Sequence, residues 1–304
     1  MSQPRIQYTV FFLVCALFVA AAAVPIIASD LFRQPYAKAW DTIDRTLARL
    51  DLSYNPPGGG APPRWPSWRD PADANMYFRD VTLTTADGVN LSAWYVPANE
   101  PGAPSILLCH GLLGSKWGML SLMPWLHDAG YNIMTFDFRG HGRSDKRPTT
   151  IGPAEALDVQ AALDWLDAEG VGDRVAGLGM SLGAAALVNA AVQDDRLDAL
   201  ILDSLFANWG DTDFAKGYRL SPEWLVPGVP DPEDLMPQVR VPVFIIHGTA
   251  DILTHVQHAY RLYEAANEPK QIWINDSGHA WSAWTYPDLY KDKVLAFLEG
   301  ALAE

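Results

Sequence analysis

The sequence predicts an α/β protein in which a mostly parallel, twisted sheet carries helices on both faces. Short apolar runs alternate with longer segments of helical period over most of residues 76–304, and strand alternating with helix is typical of a parallel sheet covered on both sides. At Ser181 a predicted strand, residues 175–179, passes directly into a predicted helix, residues 182–192. Apolar residues make up 49% of the 304-residue chain, which is enough for one large core.

The predicted elements follow in order along residues 76–304. The domain opens with an antiparallel hairpin over 78–97, because its alternating pattern turns at Asp87-Gly88. Pro153 stands in the first turn of the longest internal helix. The remaining predicted strands are 106–109, 131–136, 175–179, 199–202, 243–246 and 271–274, and the helices are 119–129, 153–169, 182–192, 254–266 and 289–302.

A small cap is predicted at residues 205–238, where the alternation stops and aromatic residues and prolines accumulate. Ligands of open α/β sheets bind beyond the carboxyl ends of the strands, so this insertion should lie over the site. Trp209 and Trp224 are its candidate substrate contacts. Packing within the cap is the alternative role for both rings.

The N-terminal residues 1–30 predict a transmembrane anchor. No charged residue occurs between positions 8 and 28, a length that crosses a hydrocarbon core as a helix. A cleaved signal peptide ending near Ala21, Ala22 and Ala23 is the alternative. Residues 31–75 predict an amphipathic helix and then a Pro/Gly-rich linker. We therefore expect a single-pass membrane protein with its large domain outside the cytoplasm, or a secreted protein if the segment is cleaved.

The acidic balance of the chain excludes one class of partner. With a net charge of −14, the chain has no basic surface to neutralise phosphates, so no nucleic-acid partner is expected. The two cysteines, Cys15 and Cys109, form neither a disulfide framework nor a zinc pattern. The acidic stretches 211–213 and 231–234 lack the ligand spacing of a calcium loop. No metal and no cofactor are therefore expected.

Ser181 is the candidate nucleophile, within the pattern G-x-S-x-G of residues 179–183. A serine hydroxyl attacks only when it is held at a sharp turn beside a base, and glycines two before and two after permit such a turn. The pattern alone is common by chance. Its position between a predicted strand and a predicted helix gives it weight.

An acid and a histidine follow Ser181 in the chain, each after a predicted strand. Asp251 follows strand 243–246 and His279 follows strand 271–274, so all three side chains should meet at one edge of the sheet. In this arrangement the histidine acts as the base and the aspartate orients it. Asp203, which also follows a strand, and Asp276, close to His279, are the alternative acids.

Backbone amides are the expected donors to the negatively charged oxygen of a tetrahedral intermediate. The N–H of Leu182 begins the helix after the nucleophile, and the N–H of Leu112 lies in the loop 110–114. His110 and Gly111, in the same loop, are expected to organise it and to border the bound substrate.

Five motifs resemble blocks of esterase-like α/β hydrolases: HGLLGSK, FDFRGHGRSD, GMSLG, HGTAD and SGHAW, which together span most of the chain from residue 78 onward. Similarity is closest to membrane-anchored bacterial members with a short cap. The resemblance implies the α/β-hydrolase fold, a turn-stabilising role for Asp137, and an oxyanion loop with a bulky side chain after its first glycine.

The expected activity is that of a serine hydrolase that cleaves a carboxylic ester or thioester through an acyl-serine intermediate. The aromatic residues of the cap suggest a small-molecule substrate with an apolar acyl or aryl group. A peptidase or acyltransferase on the same triad is the alternative among enzymes. A non-catalytic, membrane-tethered binding or assembly module is the alternative outside them, and the intact set Ser181, Asp251 and His279 argues against it.

Overall fold

An eight-stranded sheet forms the centre of the part of the chain that this computed structural model describes, residues 68–212, 215 and 230–303. The strands are β1 Arg79–Thr84, β2 Asn90–Val96, β3 Ser105–Cys109, β4 Asn132–Phe136, β5 Val175–Met180, β6 Ala199–Asp203, β7 Val243–Gly248 and β8 Lys270–Asn275. They are ordered β1-β2-β4-β3-β5-β6-β7-β8 across the sheet. Strand β2 is antiparallel to β1 and β4, and the other neighbours are parallel, so the predicted mostly parallel sheet is confirmed.

The predicted hairpin forms one edge of the sheet. Strands β1 and β2 pair with Leu83 opposite Leu91. Between them, Gly88 has φ 77° and donates its N–H to the carbonyl of Thr85 at 2.8 Å. A positive φ is easily reached by glycine, which is why Asp-Gly marks this turn.

Helices cover both faces of the sheet, as predicted. They are α1 Met123–Asp128, α2 Pro153–Ala168, α3 Leu182–Ala191, α4 Pro232–Leu235, α5 Gln257–Ala265, α6 Ser282–Thr285 and α7 Pro287–Ala301. Leu107 and Cys109 of β3 belong to the core that includes α2, α3 and α5. Ile106 and Leu108 of the same strand belong to the core that includes α1 and α7. Both sides of each central strand are thus buried, which explains the continuous apolar runs in the sequence.

Three helices begin at positions other than those predicted. Helix α1 begins at 123 rather than 119, because Pro124 lacks an amide hydrogen and suits the first turn of a helix. Helix α7 begins at 287 rather than 289, again with a proline, Pro287, in the first turn. Helix α5 begins at 257 rather than 254. The amide and hydroxyl of Thr254 instead both donate to Asp251 at 2.8 Å.

Several predicted features lie outside the described residues. Residues 1–67 hold the predicted transmembrane helix, the amphipathic helix and most of the linker, and residues 213–214 and 216–229 hold much of the predicted cap, including Trp224. The residues that are described all belong to one compact unit, Asn55–Glu304. Within 68–212, 215 and 230–303, no helix is both long and apolar enough to span a bilayer.

Candidate active site

Ser181 stands at a sharp turn between β5 and α3. Its backbone has φ 51° and ψ −109°, a conformation that non-glycine residues rarely adopt. Its N–H donates to the carbonyl of Asp203, at the end of β6, at 2.8 Å. A Cβ on Gly179 would overlap the first turn of α3, and one on Gly183 would overlap the carbonyl of Cys109. The two glycines therefore let the backbone segments around the serine approach closely.

Asp251 and His279 form a hydrogen-bonded pair. Nδ1 of His279 is 2.7 Å from Oδ2 of Asp251, whose residue is 2% exposed. The other oxygen, Oδ1, accepts from the N–H groups of Leu253 at 2.9 Å and Thr254 at 2.8 Å. Since a carboxylate only accepts, the imidazole proton is on Nδ1. This leaves Nε2 of His279 as the basic nitrogen.

A second histidine, His247, lies beside the same carboxylate. Its Nε2 is 2.7 Å from the carbonyl of Thr254 and 3.4 Å from Oδ2 of Asp251, so Nε2 carries a proton. Burial opposes the ionisation of Asp251, but the interactions with His279 and His247 outweigh it and hold the pKa of this carboxyl well below its usual range. Asp251 is therefore a carboxylate at neutral pH, the form that stabilises an imidazolium.

The two alternative acids have other partners. Asp276 is exposed and accepts a hydrogen bond from the hydroxyl of Tyr286. Asp203 is fully buried, its Oδ1 accepts from the hydroxyl of Ser204 at 3.0 Å, and burial raises its pKa to about 6. Among the described residues, the carboxylate hydrogen-bonded to His279 is that of Asp251.

The loop 110–114 lies beside Ser181, since a Cβ built on Gly111 would be 3.6 Å from the Cβ of the serine. His110 fastens this loop. Its Nε2 accepts from the N–H of Phe138 at 3.0 Å, and its Nδ1 donates to the carbonyl of Gly111 at 2.8 Å. Burial lowers the pKa of His110 to about 3, so the ring is neutral and can both donate and accept.

His141 holds the same loop from another side. Its Nε2 accepts from the N–H of Leu113 at 3.2 Å, and its Nδ1 donates to the carbonyl of Arg139 at 2.9 Å. Leu113 has φ 64°, so the loop turns there. The preceding N–H, that of Leu112, and the N–H of Leu182 at the start of α3 donate to no other described residue. These two N–H groups are the predicted oxyanion donors.

A buried ion pair fixes the far end of the loop. Nζ of Lys116 is 2.9 Å from Oδ2 of Asp137, and both side chains are at most 4% exposed. The N–H of Lys116 donates to Oδ1 of Asp137 at 2.8 Å, and the N–H of Arg143 donates to Oδ2 at 2.9 Å. Asp137 thus has the turn-stabilising role that the resemblance implied. Sequence reasoning missed Lys116, because nothing in the local pattern marks a buried lysine.

The predicted substrate contacts are only partly placed. His110 and Gly111 lie in the loop beside Ser181, as described above. The ring of Trp209 packs edge-on against Phe206, with ring centroids 5.3 Å apart, and the backbone N–H of Trp209 donates to Oδ1 of Asp231 at 3.0 Å. Trp224 lies outside the described residues.

In the described part of the chain, no group of three or more His, Cys, Asp or Glu side chains could hold a metal ion.

Comparisons with known proteins identify the family. The α/β-hydrolase fold family matches residues 104–228. An uncharacterized protein of Mycobacterium tuberculosis is 36% identical over 207 residues, which span 66% of this chain and 72% of that protein. The chain belongs to the α/β-hydrolase superfamily. Another relative of this α/β hydrolase is the uncharacterized protein YfhR of Escherichia coli, 29% identical over 237 residues that span 73% of this chain and 81% of the relative.

A solved esterase is similar to this α/β hydrolase in structure. The esterase of Pyrococcus furiosus superposes with a TM-score of 0.70 at 28% sequence identity, over 80% of this chain and 99% of its own. The α/β-hydrolase fold and the esterase neighbour together support a hydrolase activity.

Proposed function

We propose that this α/β hydrolase is a serine hydrolase that cleaves a carboxylic ester or thioester through an acyl-Ser181 intermediate. The observation that carries the proposal is the 2.7 Å hydrogen bond between Asp251 and His279, in the loops that follow β7 and β8. The turn at Ser181 follows β5, a parallel strand of the same sheet. Three groups of the correct chemistry thus follow parallel strands at one sheet edge.

In the first half of the reaction, Ser181 Oγ attacks the carbonyl carbon of the substrate and its proton passes to Nε2 of His279. The carboxylate of Asp251 stabilises the imidazolium through the Nδ1 hydrogen bond. The N–H groups of Leu112 and Leu182 donate to the oxyanion, and one such donor contributes about 3 kcal/mol to lowering the barrier.

In the second half, the imidazolium of His279 returns its proton to the leaving alcohol or thiol, and the acyl group remains on Ser181. Water then enters, and Nε2 of His279 removes a proton from it as it attacks the acyl carbon. Collapse of the second tetrahedral intermediate returns the proton to Ser181 Oγ and releases the acid.

The proposed substrate is a small-molecule ester with an apolar acyl or aryl group. The aromatic residues of the cap and the similarity to the Pyrococcus furiosus esterase favour it. The test is the hydrolysis of a series of p-nitrophenyl esters of increasing acyl length by the full chain and by Ser181→Ala. We expect measurable kcat/KM for the wild type and none above background for the variant. Equal rates for the two purified proteins would overturn the proposal.

We also propose that the N-terminal segment anchors the hydrolase in a membrane, with the catalytic domain outside the cytoplasm. The support is the absence of charge between positions 8 and 28. Fractionation of expressing cells, with the mass of the mature chain, tests it. An intact chain in the membrane fraction is expected. A shortened chain released from cells would instead indicate a cleaved signal peptide.

A further inference from the structure

Asp203, at the end of β6, and the next residue, Ser204, bond to the turn of Ser181, to the loop of His279 and to β7, the strand that leads to Asp251. From this geometry we infer that Ser204 is a positioning residue, whose hydroxyl holds the imidazole of His279 in the position from which it acts on Ser181. The inference rests on the proposed serine-hydrolase function. Ser204 touches no reacting atom in the mechanism above, so its effect must pass through the backbone that it binds.

The first contact holds the histidine loop. Oγ of Ser204 accepts the N–H of Ala280, the residue after His279, at 2.8 Å. Ala280 has φ 54°, a left-handed conformation that a non-glycine residue keeps only where its surroundings hold it. The hydrogen bond that Ala280 donates to Ser204 therefore supports the backbone turn that orients the imidazole.

The second contact leads to the nucleophile. The hydroxyl of Ser204 donates to Oδ1 of Asp203 at 3.0 Å, and the carbonyl of Asp203 accepts the N–H of Ser181 at 2.8 Å. The N–H of Ser204 donates to the carbonyl of Ile246 in β7 at 2.9 Å, in the strand that leads to Asp251. Two consecutive residues thus tie the serine turn, the histidine loop and the strand of the acid together.

The backbone conformation of Ser204 would suit glycine better than serine. Ser204 is fully buried and has φ 56°, where glycine would be the unstrained residue. Its single oxygen uses both its accepting and its donating capacity, toward Ala280 and Asp203. A serine that stays in a strained conformation and bonds to both the carboxyl of Asp203 and the N–H of Ala280 fits a role that glycine cannot fill.

Loss of this hydroxyl is expected to act on the chemical step. The N–H of Ala280, in a partly buried bond, would lose its acceptor, and the loop would shift to find another. A shift of about 1 Å in a catalytic group lowers the rate by up to about a hundredfold. We expect kcat to fall between about tenfold and about a hundredfold, with KM within about twofold of wild type, because Ser204 is not among the predicted substrate contacts.

The experiment compares Ser204→Ala and Ser204→Gly in the full chain. Both variants remove the hydroxyl, but only glycine also relieves the positive φ, so the glycine variant should be the more stable of the two. Ser105→Ala is the matched control, since Ser105 is equally buried and donates to the carbonyl of Val171 at 2.6 Å from the first residue of β3. Steady-state kinetics and amide hydrogen exchange at Ala280 are measured on all four proteins.

Both Ser204 variants are expected to lose kcat equally despite their different stabilities, and to exchange the Ala280 amide faster. The Ser105 control should keep the kcat and the exchange rate of wild type. A kcat that follows stability rather than the hydroxyl, or a wild-type kcat in Ser204→Gly, would overturn the inference. Failure of the proposed function looks different, because wild type itself would then show no Ser181-dependent turnover, while the exchange at Ala280 would still report the hydrogen bond.

Discussion

Replacement of Asp251 by asparagine is predicted to remove almost all activity while preserving the shape of the site. Oδ1 of Asp251 accepts from two backbone N–H groups, at 2.9 and 2.8 Å, whereas Oδ2 faces Nδ1 of His279 at 2.7 Å. An asparagine has one oxygen only. Because two backbone donors fix that oxygen at the Oδ1 position, its NH₂ group must face His279.

The size of the effect follows from the tautomer of the histidine. An NH₂ group facing Nδ1 of His279 requires that nitrogen to accept, so the imidazole proton moves to Nε2. Nε2 then cannot take the proton of Ser181. In Ser-His-Asp enzymes a wrong tautomer lowers kcat about 10⁴-fold, or about 5.4 kcal/mol of barrier. KM should change little, because Asp251 is only 2% exposed and lies behind the imidazole.

The assay is steady-state hydrolysis of p-nitrophenyl butyrate by the purified chain, with circular dichroism to verify folding. Asp276→Asn is the matched control, since it removes the carboxylate three residues before His279, which is exposed and bonded to Tyr286. Its kcat should stay within about twofold of wild type. If Asp251→Asn kept more than about a tenth of wild-type kcat, our assignment of the acid would be refuted.

Three further predictions concern stability, measured by urea unfolding. Gly183→Ala forces a Cβ against the carbonyl of Cys109 and should destabilise the fold by about 1–3 kcal/mol or more. Lys116→Met leaves the carboxylate of Asp137 buried without its cation and should destabilise the fold by about 3–5 kcal/mol. As the pH rises from 4 to 7, the free energy of unfolding of Asp203→Asn should increase by about 3 kcal/mol relative to that of wild type.

The direction predicted for Asp203 follows from its raised pKa. Its ordinary value is 3.8, and burial raises the pKa of the folded chain to about 6. Between these values the unfolded chain releases a proton that the folded chain keeps, so stability from this group is present below pH 3.8 and is lost as the pH rises through 6. A difference of one in pKa between the folded and unfolded chains corresponds to about 1.36 kcal/mol in the free energy of unfolding. Asparagine does not titrate, so a pH-independent difference between the two proteins would contradict the prediction.

Two results would contradict the other stability predictions. Gly300→Ala is the control for Gly183→Ala, because a Cβ on Gly300 in α7 meets nothing within 4 Å and should stabilise the helix slightly. Equal stabilities for the two alanine variants would mean that the backbone does not approach closely at Gly183. A Lys116→Met protein as stable as wild type would mean that Asp137 does not depend on its buried partner.

The sequence predicted the strands well because their pattern is local. Each central strand is a short apolar run that both faces of the sheet bury, and this requirement is visible in the residues themselves. The starts of α1 and α5 were wrong by three or four positions. For α5 the reason is a contact that no local pattern reveals, the bonding of Thr254 to Asp251.

The residues around the proposed triad were harder to predict than the triad candidates. Ser181, Asp251 and His279 each follow a strand within a recognisable motif, so their order along the chain makes them candidates. The bond from Ala280 to Ser204 joins residues 76 positions apart, and its reason is a backbone turn that exists only in the folded chain. The same holds for His247, whose position in HGTAD gave no indication that it lies beside the acid.

The most direct test of the central claim is labelling of the full chain by a fluorophosphonate probe, followed by intact mass and peptide mapping. We predict one label per active chain, attached to Ser181, with esterase activity lost in proportion to labelling and no label in Ser181→Ala. An active wild-type chain that remained unlabelled, or that carried the label at another residue, would contradict the claim that Ser181 is the nucleophile.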